Sequence, residues 1–362
     1  MKRETRMGQG VLGRYGEYLP LTRSTPMITL GEGDTPLVRS RAIEKELGVG
    51  RLYFKLEGCN PTGSFKDRGM VVAVAKALES GAEAIMCAST GNTSASASAF
   101  GARFGLETYV LAPKGRIAKG KLSQALVHGA KLVSIDGSFD QILRIAQTLT
   151  ERYEVAFVNS LNPHRIEGQK TAAFEIVDDL GSAPDYLLVP VGNAGNITAY
   201  WKGFKEYADL GKATTKPRMM GFQAAGAAPI VEGKPVEDPQ TVASAIRIGN
   251  PASWNGALTA ERESGGAIDM VTDDEILAAY RAIAEKEGVF GEPASAASVA
   301  GLYKMARNGK ELRDASVVCV ITGTGLKDQE VALQSRGTFL EAPPTASGVE
   351  AVLGLGRVRS AT

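Results

Sequence analysis

The chain has 362 residues, 44% of them apolar, with 41 basic and 40 acidic side chains and a formal net charge of +1. That length suggests about two domains with a large buried core, and the balanced charge argues against a protein built to bind nucleic acid or an acidic membrane surface. No apolar run is long enough to span a bilayer, and the charged start Met1-Lys2-Arg3-Glu4-Thr5-Arg6 lacks the apolar stretch of a secretory leader.

The first informative segment is Cys59-Asn60-Pro61-Thr62-Gly63-Ser64-Phe65-Lys66-Asp67-Arg68-Gly69. Ser64 with Asp67 three residues later reads as a capping pair, leading into a helical stretch from Met70 to Ser80. Lys66 then stands at a helix start, where the dipole disfavours a cation. A lysine that loses its proton easily can bond covalently to an aldehyde cofactor. A solvated lysine on the first turn is the commoner alternative for any single lysine.

Strand–loop–helix units follow in order. Ala84–Ala88 leads into Ser89-Thr90-Gly91-Asn92-Thr93 and a small-residue helix, Ser94 to Phe104. Thr108–Ala112 leads into Pro113-Lys114-Gly115 and a helix near Ala118 to His128. Lys131–Ile135 precedes a helix near Phe139 to Arg152, and Val155–Val158 leads through Asn159-Ser160 to a helix from Ile166 to Leu180. Tyr186–Val191 leads into Gly192-Asn193-Ala194-Gly195-Asn196 and a helix from Ile197 to Leu210, and Ser316–Ile321 leads into Thr322-Gly323-Thr324-Gly325. Alternation of this kind predicts an α/β fold of open, mostly parallel twisted sheets flanked by helices. Ligands bind such sheets beyond the carboxyl ends of the strands, where each of these polar loops lies.

Several of those loops suit anions. In Gly192-Asn193-Ala194-Gly195-Asn196 two glycines precede a helix, so backbone N–H groups can converge on a phosphate; an ordinary turn is the alternative. Neither the Walker spacing nor a dinucleotide fingerprint is present. Ser89, Thr90, Gly91 and Thr93 offer donors suited to a carboxylate, or simply a capped helix start. Asn159 and Ser160 with Arg165 make a third anion site, since a guanidinium fork matches phosphate; a surface salt bridge is the alternative for Arg165 alone. One lysine with these cradles points to pyridoxal 5'-phosphate carried on Lys66 and an amino-acid substrate.

Three widely spaced cysteines, Cys59, Cys87 and Cys319, read as reduced thiols and predict a cytoplasmic location. The two histidines, His128 and His164, form no zinc spacing, so no metal site is expected. No nucleophile-elbow pattern appears either.

Ordered motifs from Gly31 to about Asp328 resemble those of the threonine synthase family, a branch of the tryptophan synthase β-like, fold type II pyridoxal-phosphate enzymes. They are Gly31-Glu32-Gly33-Asp34-Thr35-Pro36-Leu37, the Asn60–Gly69 segment, Ser89–Ser94, Gly192–Asn196, Ile246–Pro251, Glu292-Pro293-Ala294-Ser295 and Thr322–Asp328. The resemblance implies a lyase of threonine biosynthesis that converts O-phospho-L-homoserine and water to L-threonine and phosphate. It implies that Lys66 bears the cofactor and moves protons, with Phe65 lining the ring, Asn92 at the ring oxygen and Thr322 at the pyridine nitrogen. Gly192, Asn193, Ala194, Gly195 and Asn196 would hold the cofactor phosphate. Ser89, Thr90, Gly91 and Thr93 would meet the substrate carboxylate, and Asn159, Ser160 and Arg165 its phosphate, with Lys114 a weaker candidate. Glu292 and Arg247 fall in family motifs and receive no chemical role. The family also implies a homodimer and a division into a large domain (1–63 with 161–338), a small domain (64–160) and a tail (339–362). A threonine or serine dehydratase of the same fold, which needs no substrate-phosphate loop, and a non-catalytic ligand-binding relative are the competing readings.

Overall fold

The computed structural model of the chain describes residues 9–114, 119–137, 139–333 and 340–355; Met1 to Arg6, Gly115 and Ala118 lie outside them. In chain order the described elements begin with α1 (Gly10–Tyr15), β1 (Leu37–Arg39), α2 (Ile43–Leu47), β2 (Arg51–Leu56) and α3 (Lys66–Glu79). Then come β3 (Ala84–Ala88), α4 (Asn92–Phe104), β4 (Glu107–Pro113), α5 (Lys119–Val127), β5 (Lys131–Ile135), α6 (Phe139–Arg152), β6 (Val155–Phe157), α7 (Pro163–Gln169) and α8 (Thr171–Leu180). The remainder of the main body is β7 (Tyr186–Pro190), α9 (Gly195–Asp209), β8 (Arg218–Ala224), α10 (Pro229–Glu232), α11 (Trp254–Ser264), β9 (Ala267–Val271), α12 (Asp273–Glu287), α13 (Pro293–Arg307) and β10 (Ser316–Ile321).

The strands form a six-stranded sheet, β1-β2-β10-β7-β8-β9, and a four-stranded sheet, β5-β4-β3-β6. Every pairing is parallel except β1 with β2. Strand alternation fills both faces of the larger sheet. Leu188, Val317 and Cys319 enter one core with Phe54 and Phe222. Leu187, Val189, Val318 and Val320 enter the other with Tyr200 and Phe204. Such continuous apolar runs are what a sheet covered by helices on both faces requires.

Three local expectations are corrected. The helix after Ser64 starts at Lys66, and Ser64 and Asp67 do not cap it reciprocally. Asp67 instead accepts from the Thr62 N–H (2.7 Å), the Thr62 hydroxyl (2.6 Å) and the Ser96 hydroxyl (2.6 Å), tying α3 to the preceding loop and to α4. The expected helix Ile166–Leu180 is two helices, α7 and α8, broken at Lys170. α7 begins earlier, at Pro163, because Asn162 accepts from the His164 N–H and proline's fixed φ suits the first helical position. β2 was hidden in sequence by its charges. Its Lys55 is fully buried and paired with Glu175 at 2.8 Å.

The described residues up to Asp328 form one compact unit and those from Gln329 another. The second holds α14 (Gln329–Leu333) and α15 (Ala346–Leu353), the latter capped by Thr345.

Candidate active site

Lys66 opens α3 at the edge of the larger sheet's loops. The Phe65 N–H donates to Thr322 O and the Thr324 N–H to Gly63 O, both at 3.0 Å, so the lysine segment is bridged to the loop after β10. The ammonium sits 4.3 Å from the Phe65 ring centroid. Lys66 keeps some solvent contact, yet protein encloses it closely enough that desolvation, helped by repulsion from Arg165, lowers its pKa to about 7; Glu292 opposes the shift. The free base is therefore well populated near neutral pH, as a lysine that acts as nucleophile and proton carrier requires.

Glu292 is the residue whose part the sequence left open. It is buried, and it accepts from Asn92 Nδ2 at 3.2 and 3.1 Å and from the Thr322 hydroxyl at 3.1 Å. Ser295 Oγ lies 2.9 Å from that same hydroxyl. Burial raises the Glu292 pKa, and Asn92, Thr322, Lys327 and Lys66 counter it. One carboxylate thus joins two predicted cofactor residues that stand 230 positions apart in sequence. Its one local signal was Glu292-Pro293 at the start of α13.

The glycine-bearing loop follows β7 as expected. Ala194 adopts φ +63°, left-handed for a residue with a Cβ, and α9 begins at Gly195 with no side-chain cap. Asn196 Nδ2 is buried without a partner. Asn193 is held from outside, its backbone O accepting from the Ser253 N–H at 3.0 Å and its Oδ1 from the Ala252 N–H at 3.3 Å. Gly192 is needed for close approach, since a Cβ there would lie 2.9 Å from Ile246 Cα. An uncapped N-terminus with an unpartnered buried amide donor has the chemistry of a phosphate cradle.

At the end of β3, Ser89 Oγ accepts from the Gly91 N–H at 3.2 Å, and α4 likewise starts without a side-chain cap. A Cβ at Gly91 would meet nothing within 4 Å, so the loop borders open space, with Thr90 part-exposed and Thr93 buried. At the end of β6, Asn159 commits its amide to Ala88, accepting from its N–H at 2.7 Å and donating to its O at 2.9 Å. The Asn159 side chain is thereby spent, which leaves Ser160 and the backbone as the donors of this loop. A cavity of about 240 Å³ brings Asn159, Ser160 and Asn193 together with Arg144, Asn250 and Ala252.

Arg165 is fully buried. Nη1 donates to Val158 O at 2.7 Å, while Nε and Nη2 have no partner. Desolvation lowers its pKa to about 10. A buried guanidinium with two unpaired nitrogens has the chemistry to receive an anion. His164 lies apart, half-buried among Lys76, Glu167 and Glu79. Lys114 and Arg247 are exposed.

A family model for pyridoxal-phosphate-dependent enzymes matches residues 28–323. A threonine synthase from Halalkalibacterium halodurans is 58% identical over 327 residues, covering 90% of this chain and 92% of its own length. One from Synechocystis sp. is 57% identical, covering 92% and 87%. The chain belongs to the pyridoxal-phosphate-dependent enzymes, in the threonine synthase family. Among solved structures, processed threonine deaminase isoform 2 from Solanum lycopersicum superposes with a TM-score of 0.70 at 22% identity, covering 84% of this chain and 88% of that one, a likeness of fold. The residues present fit the cofactor this family uses: a low-pKa lysine, a glycine-bearing cradle with an unpartnered Asn196 donor, and the Asn92–Glu292–Thr322 group. No helix among the described residues is long and apolar enough to cross a membrane.

Proposed function

We propose that the chain converts O-phospho-L-homoserine and water to L-threonine and inorganic phosphate. The observation that carries this reading is Arg165, a buried guanidinium with two unpaired nitrogens beside Lys66, in addition to the cradle at the start of α9. Two anion sites suit a phosphorylated cofactor with a phosphorylated substrate; a dehydratase needs only one.

The α9 cradle and Lys66 would hold pyridoxal phosphate, which when bound would supply the electron sink that acidifies the substrate Cα–H. The N–H groups of Thr90, Gly91 and Thr93 orient the substrate carboxylate, with Ser89 bracing the loop. Lys66, as the free base, would carry protons one at a time: it takes the Cα proton, gives it up to the conjugated system, and then takes a Cβ proton. Arg165 and Ser160 stabilise the phosphate that leaves Cγ, acting where negative charge develops. Lys66 would return one proton to Cγ, completing the methyl group, and, once water has added its hydroxyl at Cβ, one to Cα; the water's proton leaves with the phosphate. Thr322 stays neutral and, with Glu292 and Asn92, fixes the ring edge.

The division into residues 1–63 with 161–338, residues 64–160 and a tail is supported by the sheets: the four-stranded one falls wholly within 64–160. A homodimer in the cytoplasm completes the proposal. Its test is incubation of the cofactor-loaded protein with phosphohomoserine. Equal amounts of phosphate and threonine support it; ammonia from threonine without phosphate release favours the dehydratase.

A further inference from the structure

Arg165 and Gln169 stand one turn apart on α7, and both side chains are buried, at 1% and 4% exposure. α7 lies in backbone contact with α3: a Cβ at Gly168 would fall 1.9 Å from Arg68 O, and one at Gly69 2.6 Å from Arg165 O. Over Gly69 the two side chains converge. The same Cβ position is 2.8 Å from Arg165 Nε and 2.9 Å from Gln169 Nε2. Arg165 Nε is a buried donor without a partner, and Gln169 Oε1 is a buried acceptor without a partner. A half-turn of the amide would put the acceptor Oε1, rather than the donor Nε2, on the side that faces Gly69 and the unpaired Arg165 Nε–H.

We propose that Gln169 is a positioning residue for Arg165. Its amide oxygen holds Nε–H, Val158 O holds Nη1, and the guanidinium is left with Nη2 aimed at the phosphate of the substrate. Gln169 touches no substrate. It fixes the plane of the fork, and its neutrality leaves the full positive charge of Arg165 for the ligand. The inference rests on the reading of Arg165 as the substrate-phosphate site.

The test compares Gln169→Leu and the near-isosteric Gln169→Glu with wild type, all loaded with cofactor. Leucine leaves Nε unanswered and the fork free to tilt, raising KM for phosphohomoserine about tenfold. Glutamate pairs with the guanidinium and competes with the ligand, raising KM and the inhibition constant of inorganic phosphate further. Independently of turnover, the Arg165 Nε–H proton resonance, assigned by its loss in Arg165→Met, sits downfield in wild type and moves upfield in Gln169→Leu. Folded variants with wild-type KM, phosphate inhibition and Nε–H shift overturn the inference. If Gln169→Leu does not fold, Gln169→Glu decides alone, through KM and phosphate inhibition. A wild-type protein that releases no phosphate refutes the functional reading instead, and the resonance still decides whether Gln169 holds Arg165.

Discussion

Replacing Arg165 with methionine separates stability from activity in a direction that most buried substitutions do not. Arg165 is fully buried; Nη1 donates to Val158 O, Nε faces Gln169, and Nη2 with its two N–H groups is unanswered. Its lowered pKa says that the fold disfavours the charge. Methionine keeps much of the stem volume and removes the desolvated donors, so the cofactor-free protein should gain about 1–3 kcal/mol, the usual penalty of unsatisfied buried polar groups. The same change deletes two charge-assisted hydrogen bonds to phosphate, worth about 1.5–3 kcal/mol each, which together lower kcat/KM about a hundredfold or more. The Lys66 pKa should rise, because Arg165 is a repulsive neighbour. Denaturant unfolding of the cofactor-free proteins, steady-state phosphate release and bound-cofactor absorbance read these effects. Loss of stability by several kcal/mol, or phosphate release at the wild-type rate, would refute the argument.

Lys66→Met should alter the pH dependence of stability in the cofactor-free protein. Lys66 has a folded pKa of about 7 against 10.5 when unperturbed. Its destabilising effect is thus full below pH 7 and fades as pH rises toward 10.5, so the variant's advantage, measured by unfolding, should shrink over that window. Gly168→Ala should destabilise by roughly 1–3 kcal/mol or more, because its methyl meets the Arg68 carbonyl at 1.9 Å and backbone must move. That movement carries Arg165 away from α3, so amine labelling of Lys66 should also report a raised pKa. Glu292→Gln removes the anion that raises the Lys66 pKa, so the same labelling should show it falling below 7.

The sequence carried the β/α units well because β3, β5, β7 and β10 are apolar or β-branched runs that end in polar loops. Lys66, the α9 cradle and Arg165 were readable for the same reason: each lies within a few residues of a strand or helix end. What escaped depends on distant partners. β2 holds a buried lysine made tolerable by Glu175, more than a hundred residues away, and by a hydrogen bond to Thr35 O. Asp67 turned from capping to Ser96 on α4, and Asn159 spent its amide on Ala88. Glu292 and Gln169 acquire meaning only when Asn92, Thr322 and Gly69 are brought beside them.

The central claim is a substrate that carries its own leaving phosphate into a site built for two. Its most direct test is product analysis after incubating the cofactor-loaded protein with O-phospho-L-homoserine. Inorganic phosphate and L-threonine should appear in equal amounts at matching rates. Intact phosphohomoserine, with threonine itself broken down to release ammonia, would contradict it.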